Sequence, residues 1–160
     1  MSKVQAVPKG FHTLTPHLVI KGAAEAIEFY KRAFQAQEVV RMLSPEKRII
    51  HAELKIGDSM VFIGEEFPTM GCTGPAVLGG TPVTLHLYVD DVDAVFDRAV
   101  KAGATVTMPL NNMFWGDRYG KLTDPFGHNW SIASRVEDVS PEEMQRRQES
   151  FFAQMAKAAR

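Results

Sequence analysis

Two stretches of this chain alternate apolar and polar residues in the same way. Between Thr13 and Ile20, Leu14, Leu18 and Ile20 fall on one side and Thr13, Thr15, His17 and Val19 on the other. Further on, Val83, Leu85, Leu87 and Val89 alternate with Thr84, His86 and Tyr88. A period of two predicts a strand with one buried face. Each strand runs into helical spacing. Ala23, Ala26, Ile27, Tyr30 and Phe34 follow a turn at Lys21-Gly22, and Val92, Val95, Phe96 and Ala99 precede a C-terminal cap at Gly103. "EVVRML" and "ATVTMPL" then read as second strands. Two hairpins follow: "RIIHAELKIGDSMVFIG", turning at Gly57-Asp58, and "RYGKLTDPFGHNWSIAS", turning at Asp124-Pro125-Phe126-Gly127 as a type I turn. In the first hairpin, Ile50, Ala52, Leu54 and Ile56 alternate with His51, Glu53 and Lys55.

The order strand, helix, three strands therefore occurs twice. His17 and His86 lie 69 residues apart, Ala36 and Ala104 lie 68 apart, and Gly57 and Gly127 lie 70 apart. Near-constant offsets through a strand, a helix and a hairpin mark an internal duplication. The expected fold is α+β: two tandem βαβββ modules whose curled sheets surround a shared cleft, with a C-terminal helix added. Residues 1–135 form one domain, with module one at about 12–66, a Gly- and Pro-rich linker read as a loop at about 64–82, and module two at about 83–134. Ser140, Pro141 and Glu143 then open a helix over 140–158, by capping box and N1 proline. Its stripe of Met144, Phe151, Phe152 and Met155 has to dock on the same chain or on a second subunit.

Composition narrows the function classes. A net charge of −1 with no basic stripe gives no field for nucleic acid or an anionic membrane. No apolar run is long enough to span a bilayer, and the N-terminus lacks a signal-peptide core. Cys72 is the one cysteine, which excludes an intrachain disulfide and a CxxC metal motif. A cytoplasmic protein is expected.

Because each helix must cover the sheet face that carries the continuous apolar set, the Thr and His side chains project from the opposite face. Parity assigns Thr15, His17, His51, Glu53, Thr84, His86, Tyr88, Asn129 and Ser131 to a polar cavity suited to a small polar ligand or to acid-base work. "FWGDRYG" adds the flat rings of Trp115 and Tyr119. It also brings Arg118, which either clamps an acidic group or is neutralised by Asp117. His128, in a hairpin turn, is expected to face solvent, and His12 precedes the first strand. Asp90, Asp91 and Asp93 read as capping of the second-module helix.

A duplicated module with "AIEFYKRAF" in its first helix and "DPFGHNW" in its last hairpin resembles the vicinal oxygen chelate superfamily of glyoxalases, bleomycin-resistance proteins and dioxygenases. Its PhnB-like branch is echoed in "TPHLVIKGAAEAIEFYKRAF", "HAELKIGDS", "LHLYVDDVDAVFDRA" and "FWGDRYGKLTDPFGHNWSIA". The resemblance spans about residues 12–134 and implies a cleft commonly completed by homodimerisation. In metal-dependent members the first and fourth strands of each module supply four ligands. Laid on this chain, those positions are Thr15, Val61, Thr84 and Ser131, none of them a usual ligand for a transition metal. The expectation is a homodimeric protein that binds a small polar or amphipathic molecule without cofactor or metal. The alternative is a lyase, isomerase or dioxygenase with a divalent metal relocated to His17, His86 and Glu53.

Overall fold

In a computed structural model that describes residues 4–158, the duplication appears as two four-stranded sheets of the same order. The first contains β1 (His17–Ile20), β2 (Gln37–Leu43), β3 (Ile49–Ile56) and β4 (Ser59–Glu65), arranged β1-β4-β3-β2. The second contains β5 (Thr84–Tyr88), β6 (Thr105–Asn112), β7 (Asp117–Thr123) and β8 (Asn129–Arg135), arranged β5-β8-β7-β6. In each sheet the first strand runs parallel to the fourth and the other pairs are antiparallel. Helix α1 (Ala23–Phe34) covers one face of the first sheet and α3 (Val92–Ala102) one face of the second. The two helices lie side by side.

The core is where periodicity placed it. Leu18, Ile20, Ala52, Leu54, Val61 and Ile63 meet Ala26, Ile27, Tyr30 and Phe34 of α1, and burying each large side chain contributes roughly 1.5–3 kcal/mol. Trp130 on β8 joins the modules, with ring centroids 4.7 Å from Phe34 and 5.4 Å from Tyr30. The second module is thinner at its edge, for Leu85 and Leu87 of β5 are only half-buried.

Both helices are capped from the same repeat position. The Glu65 carboxylate accepts from the backbone N–H groups of Gly22 and Ala23 at 2.8 and 3.0 Å. Ser134, which lies 69 residues later, accepts from Val92 N at 3.0 Å. Asp91 completes the second cap by accepting from Ala94 N, as its run of carboxylates predicted.

Four expectations need correction. The first strand starts at His17, not Thr13, and Leu14 is exposed. A register shift between Met42 and Leu43 turns Ile49 into the core and Ile50 out to solvent, breaking the alternation read for that arm. The linker is not a plain loop. It holds a 3₁₀ turn (Pro68–Met70) and a short helix α2 (Pro75–Leu78), and buried Glu66 accepts from Gly74 N at 2.7 Å, drawing Gly74 against the Val19 carbonyl. His128 does not face solvent either. It is half-buried, and its Nε2–H donates to Val19 O at 3.2 Å, stitching the second hairpin to β1.

Helix α4 (Pro141–Ala158) begins as expected, with Glu143 N donating to Ser140 Oγ. The Glu143 side chain, however, accepts from Arg146 and Arg147 and does not close the box. Arg147 also pairs with Glu137, and Phe151 packs on Phe114 at 5.1 Å. Phe152 and Met155 remain more than half exposed. Among the described residues no helix is long and apolar enough to cross a membrane.

Candidate functional site

The faces left open by α1 and α3 carry the candidate polar side chains. On the first sheet, pairing sets His17 opposite Phe62 and Phe62 opposite Glu53, with His51 in the adjoining row. His51 Nε2 lies 3.3 Å from Glu53 Oε1, and its ring stands edge-on to Phe62 at 4.7 Å. His17 meets the same Phe62 at 6.0 Å and His51 at 6.3 Å. Gly64 makes room for it, since a Cβ there would come within 3.2 Å of His17 Nε2.

On the second sheet, His86 Nδ1 lies 2.7 Å from Ser131 Oγ, and its ring meets Tyr88 at 4.5 Å and Tyr119 at 5.9 Å. The rings continue from Tyr119 to Trp115, Phe114, Phe151 and Phe152, each centroid 5.1–5.7 Å from the next. Asp117, almost fully buried below this row, accepts from Tyr88 OH, Trp115 Nε1 and Arg135 Nε at 2.8–3.0 Å. A buried carboxylate needs such partners, and here it fixes two of the rings.

Several of the proposed cleft residues sit elsewhere. Arg118 faces the helix side, where Asp93 holds it by two bonds of 2.6 and 2.7 Å, so Asp117 is not its partner and the open face lacks its guanidinium. Asn129 is occupied structurally, accepting from Thr123 Oγ1 and donating to Thr81 O. Thr84 is exposed beside it. Thr15 precedes β1 and lines a separate cavity together with His86 and Tyr88. His17, His51 and Glu53 do not line that cavity, so one chain brings the two imidazole clusters into no common pocket.

Register also corrects the fourth-strand position. His17 pairs with Phe62 as His86 pairs with Ser131. Phe62, and not the inward-facing Val61, is therefore the counterpart of Ser131. Phe62 and the aromatic row through Tyr119 were missed or underweighted. A strict offset of 69, applied through the fourth strand, would have found Phe62.

A metal fits these donors poorly. The four positions offer two threonines, a phenylalanine and a serine, and the polar partner of His86 is a hydroxyl. Among the described residues no three His, Cys, Asp or Glu side chains are grouped as a metal site, and His17, His86 and Glu53 are divided between two sheets.

Both histidines are held below the ordinary imidazole pKa, His17 by partial burial and then by the neighbouring His51, and His86 by partial burial against an opposing pull from Asp117. Folding thus disfavours their protonation, so the stability they contribute is complete above about pH 6.5 and falls as pH drops through that value. Imidazole NMR titrations are expected to show both midpoints below that of an unstructured histidine. A midpoint at or above it for either residue contradicts the packing described.

Known proteins now place this geometry. The family model of the Glyoxalase/Bleomycin resistance protein/Dioxygenase superfamily matches residues 11–132. The chain belongs to that superfamily. The uncharacterized protein Rv0887c of Mycobacterium tuberculosis is 50% identical over 136 residues, covering 82% of this chain and 79% of its own length. The crystal structure of TioX from Micromonospora sp. ML1 is similar at 28% identity and a TM-score of 0.63, over 78% of this chain and 99% of that one. The PhnB protein of Bacillus cereus shares the fold, with a TM-score of 0.62 and 21% identity over 77% of this chain and 99% of its own. Helix α4 lies beyond the superfamily match.

Proposed function

We propose that this protein is a cytoplasmic binder of a small polar or amphipathic molecule. It holds the ligand without a tightly bound metal, in a cleft that a second copy of the chain completes. The observation that carries this reading is the pair of helix-free sheet faces. Each bears an imidazole cluster set among aromatic rings, and no helix packs across either, although Phe11 reaches Phe62 at 5.7 Å on the first and Ser131 is buried on the second. Uncovered apolar and aromatic surface of this kind calls for a partner. Joining one copy's first sheet to another copy's second sheet would enclose both clusters, using the geometry the superfamily commonly builds by dimerisation. The neutral imidazoles then accept or donate single hydrogen bonds to a polar group, while Phe62, Tyr119 and Trp115 take up its apolar part.

Sedimentation is expected to give twice the 17.8 kDa chain mass. Thermal-shift screening with thiols, carboxylates, phosphonates and aromatic compounds should find a ligand class that raises the melting temperature of the native protein. At a hundredfold excess over Kd the stabilisation is about 2.7 kcal/mol. The His17→Ala/His86→Ala variant should lose that shift. A monomer that no class stabilises refutes the reading. So does stoichiometric metal that is retained by the native protein and lost in the double variant.

A further inference from the structure

We infer that each copy of the chain lends Lys121 to the imidazole cluster of the other, where its ammonium pairs with Glu53. This rests on the reading that a second copy completes the cleft, and it names the charges that decide which faces meet.

Strand pairing lays one row of side chains across each open face. On the first sheet the row runs His17, Phe62, Glu53 and Val40, over β1, β4, β3 and β2. On the second it runs His86, Ser131, Lys121 and Met108, over β5, β8, β7 and β6. Each residue of the first row is followed 68 or 69 residues later by its counterpart in the second. The repeat therefore sets a carboxylate and an ammonium at the same place, each with a half-buried apolar side chain beside it.

Neither charge is answered within its own chain. The Glu53 side chain is only 20% exposed, and its ion-pair partner among the described residues is His51, at 3.3 Å. An imidazole answers a carboxylate only while it holds a second proton. Lys55 stands one row further on, opposite Met60 and toward the hairpin turn. Lys121 is exposed and makes no ion pair among the described residues, whereas Arg135, the other cation of that face, is taken by Asp117. Closing the cleft withdraws both charges from water. That is strongly opposed for a lone charge and far less for an unlike, hydrogen-bonded pair. Joining a first sheet to a second sheet provides such a pair at both joints of a twofold dimer. Joining like sheets would set Glu53 against Glu53, or Lys121 against Lys121.

Sedimentation across a dilution series tests the pair, with Glu53→Lys and Lys121→Glu made singly and together. Each single variant opposes like charges at both joints and should weaken the dimer about tenfold at each, about a hundredfold in all. The combined variant should associate as the native chain does. Mixing the two single variants restores unlike charges at both joints, so an equimolar mixture should form chiefly mixed dimers. Native mass spectrometry with one variant ¹⁵N-labelled counts them. A pair made inside one chain would not be mended by mixing. Where a reversal fails to fold, Glu53→Gln and Lys121→Gln take its place, and together they should weaken the dimer no more than either alone. Unaltered association of the single variants, additive losses for the glutamine pair, or no excess of mixed dimers over the statistical share overturns the inference while the native dimer stands. A native chain that sediments as a monomer overturns both the inference and the reading beneath it.

Discussion

Replacing Asp124 with alanine is expected to destabilise the protein by about 3–5 kcal/mol. Asp124 is buried at the base of the second hairpin, and its carboxylate accepts from Tyr30 OH at 2.6 Å and from Trp130 Nε1, Phe126 N and His128 N at 2.9 Å. Tyr30 belongs to α1, and the other three donors belong to the second module. One side chain therefore fastens the two copies together and shapes the turn that plugs their joint. Truncation leaves the phenol and the indole buried without acceptors, at about 1–3 kcal/mol each, and frees the turn as well. Asp124→Asn keeps one acceptor oxygen and should cost less. Urea unfolding near neutral pH measures both variants, and a loss below about 1 kcal/mol for the alanine variant would show that water replaces the carboxylate. A double-mutant cycle with Tyr30→Phe should show coupling, because each single change removes the same bond. Burial and the Asp124 carboxylate also hold the Tyr30 phenol well above its ordinary pKa. The stability this contributes is complete below about pH 10 and is lost as pH rises beyond it.

How far such a joint can be read from sequence depends on the range of the contact. The Thr-x-His strands, the helical stripes and the hairpin turns are local patterns, and burial follows them because each element has one face to hide. Asp124 was legible as the first residue of a type I turn, but its bonds to Tyr30 and Trp130 depend on how two modules meet, which no local period encodes. His128 failed for the same reason: a histidine in a turn reads as exposed until β1 of the other module arrives beside it. Arg118 and Asp117 are neighbours in sequence and point to opposite faces of β7, so adjacency misled where strand parity, once the strand's limits were known, settles the matter. Ile49 and Ile50 exchanged roles through a bulge that follows from the pairing of β2 with β3, again a property of two strands and not of one. The candidate faces were found because the duplication doubled a weak signal. Phe62 was lost by a one-residue slip, and such a slip turns a side chain to the other face of its sheet.

The attachment of α4 rests on one glycine, and Gly116→Ala is expected to cost about 2–4 kcal/mol while loosening that helix. Gly116 has φ +96°, and a Cβ built on it would lie 2.3 Å from Glu137 O and 3.0 Å from Val139 Cγ2. The approach is close because the Gly116 carbonyl accepts from both Val136 N and Glu137 N, at 2.9 and 3.0 Å. That clamp holds the strap leading out of β8, and the strap in turn presents Glu137 to Arg147 of α4. A methyl group adds left-handed backbone strain of about 1–2 kcal/mol and a steric clash with a carbonyl that has no flexible end to yield. Gly57→Ala is the natural control: φ is +59° there, and nothing lies within 4 Å of the added atom, so the backbone strain stands alone. If the strap is the anchor, Gly116→Ala will unfold at lower urea than Gly57→Ala, and limited proteolysis will cleave within residues 136–158 before the sheets. Equal losses for the two variants, with α4 equally protected, would mean that the Phe114–Phe151 packing and the Arg147 bond to Phe114 O hold the helix without the clamp. The aromatic row from His86 to Phe152 makes the distinction functional as well, since a loosened α4 withdraws its last two rings from the wall of the open face.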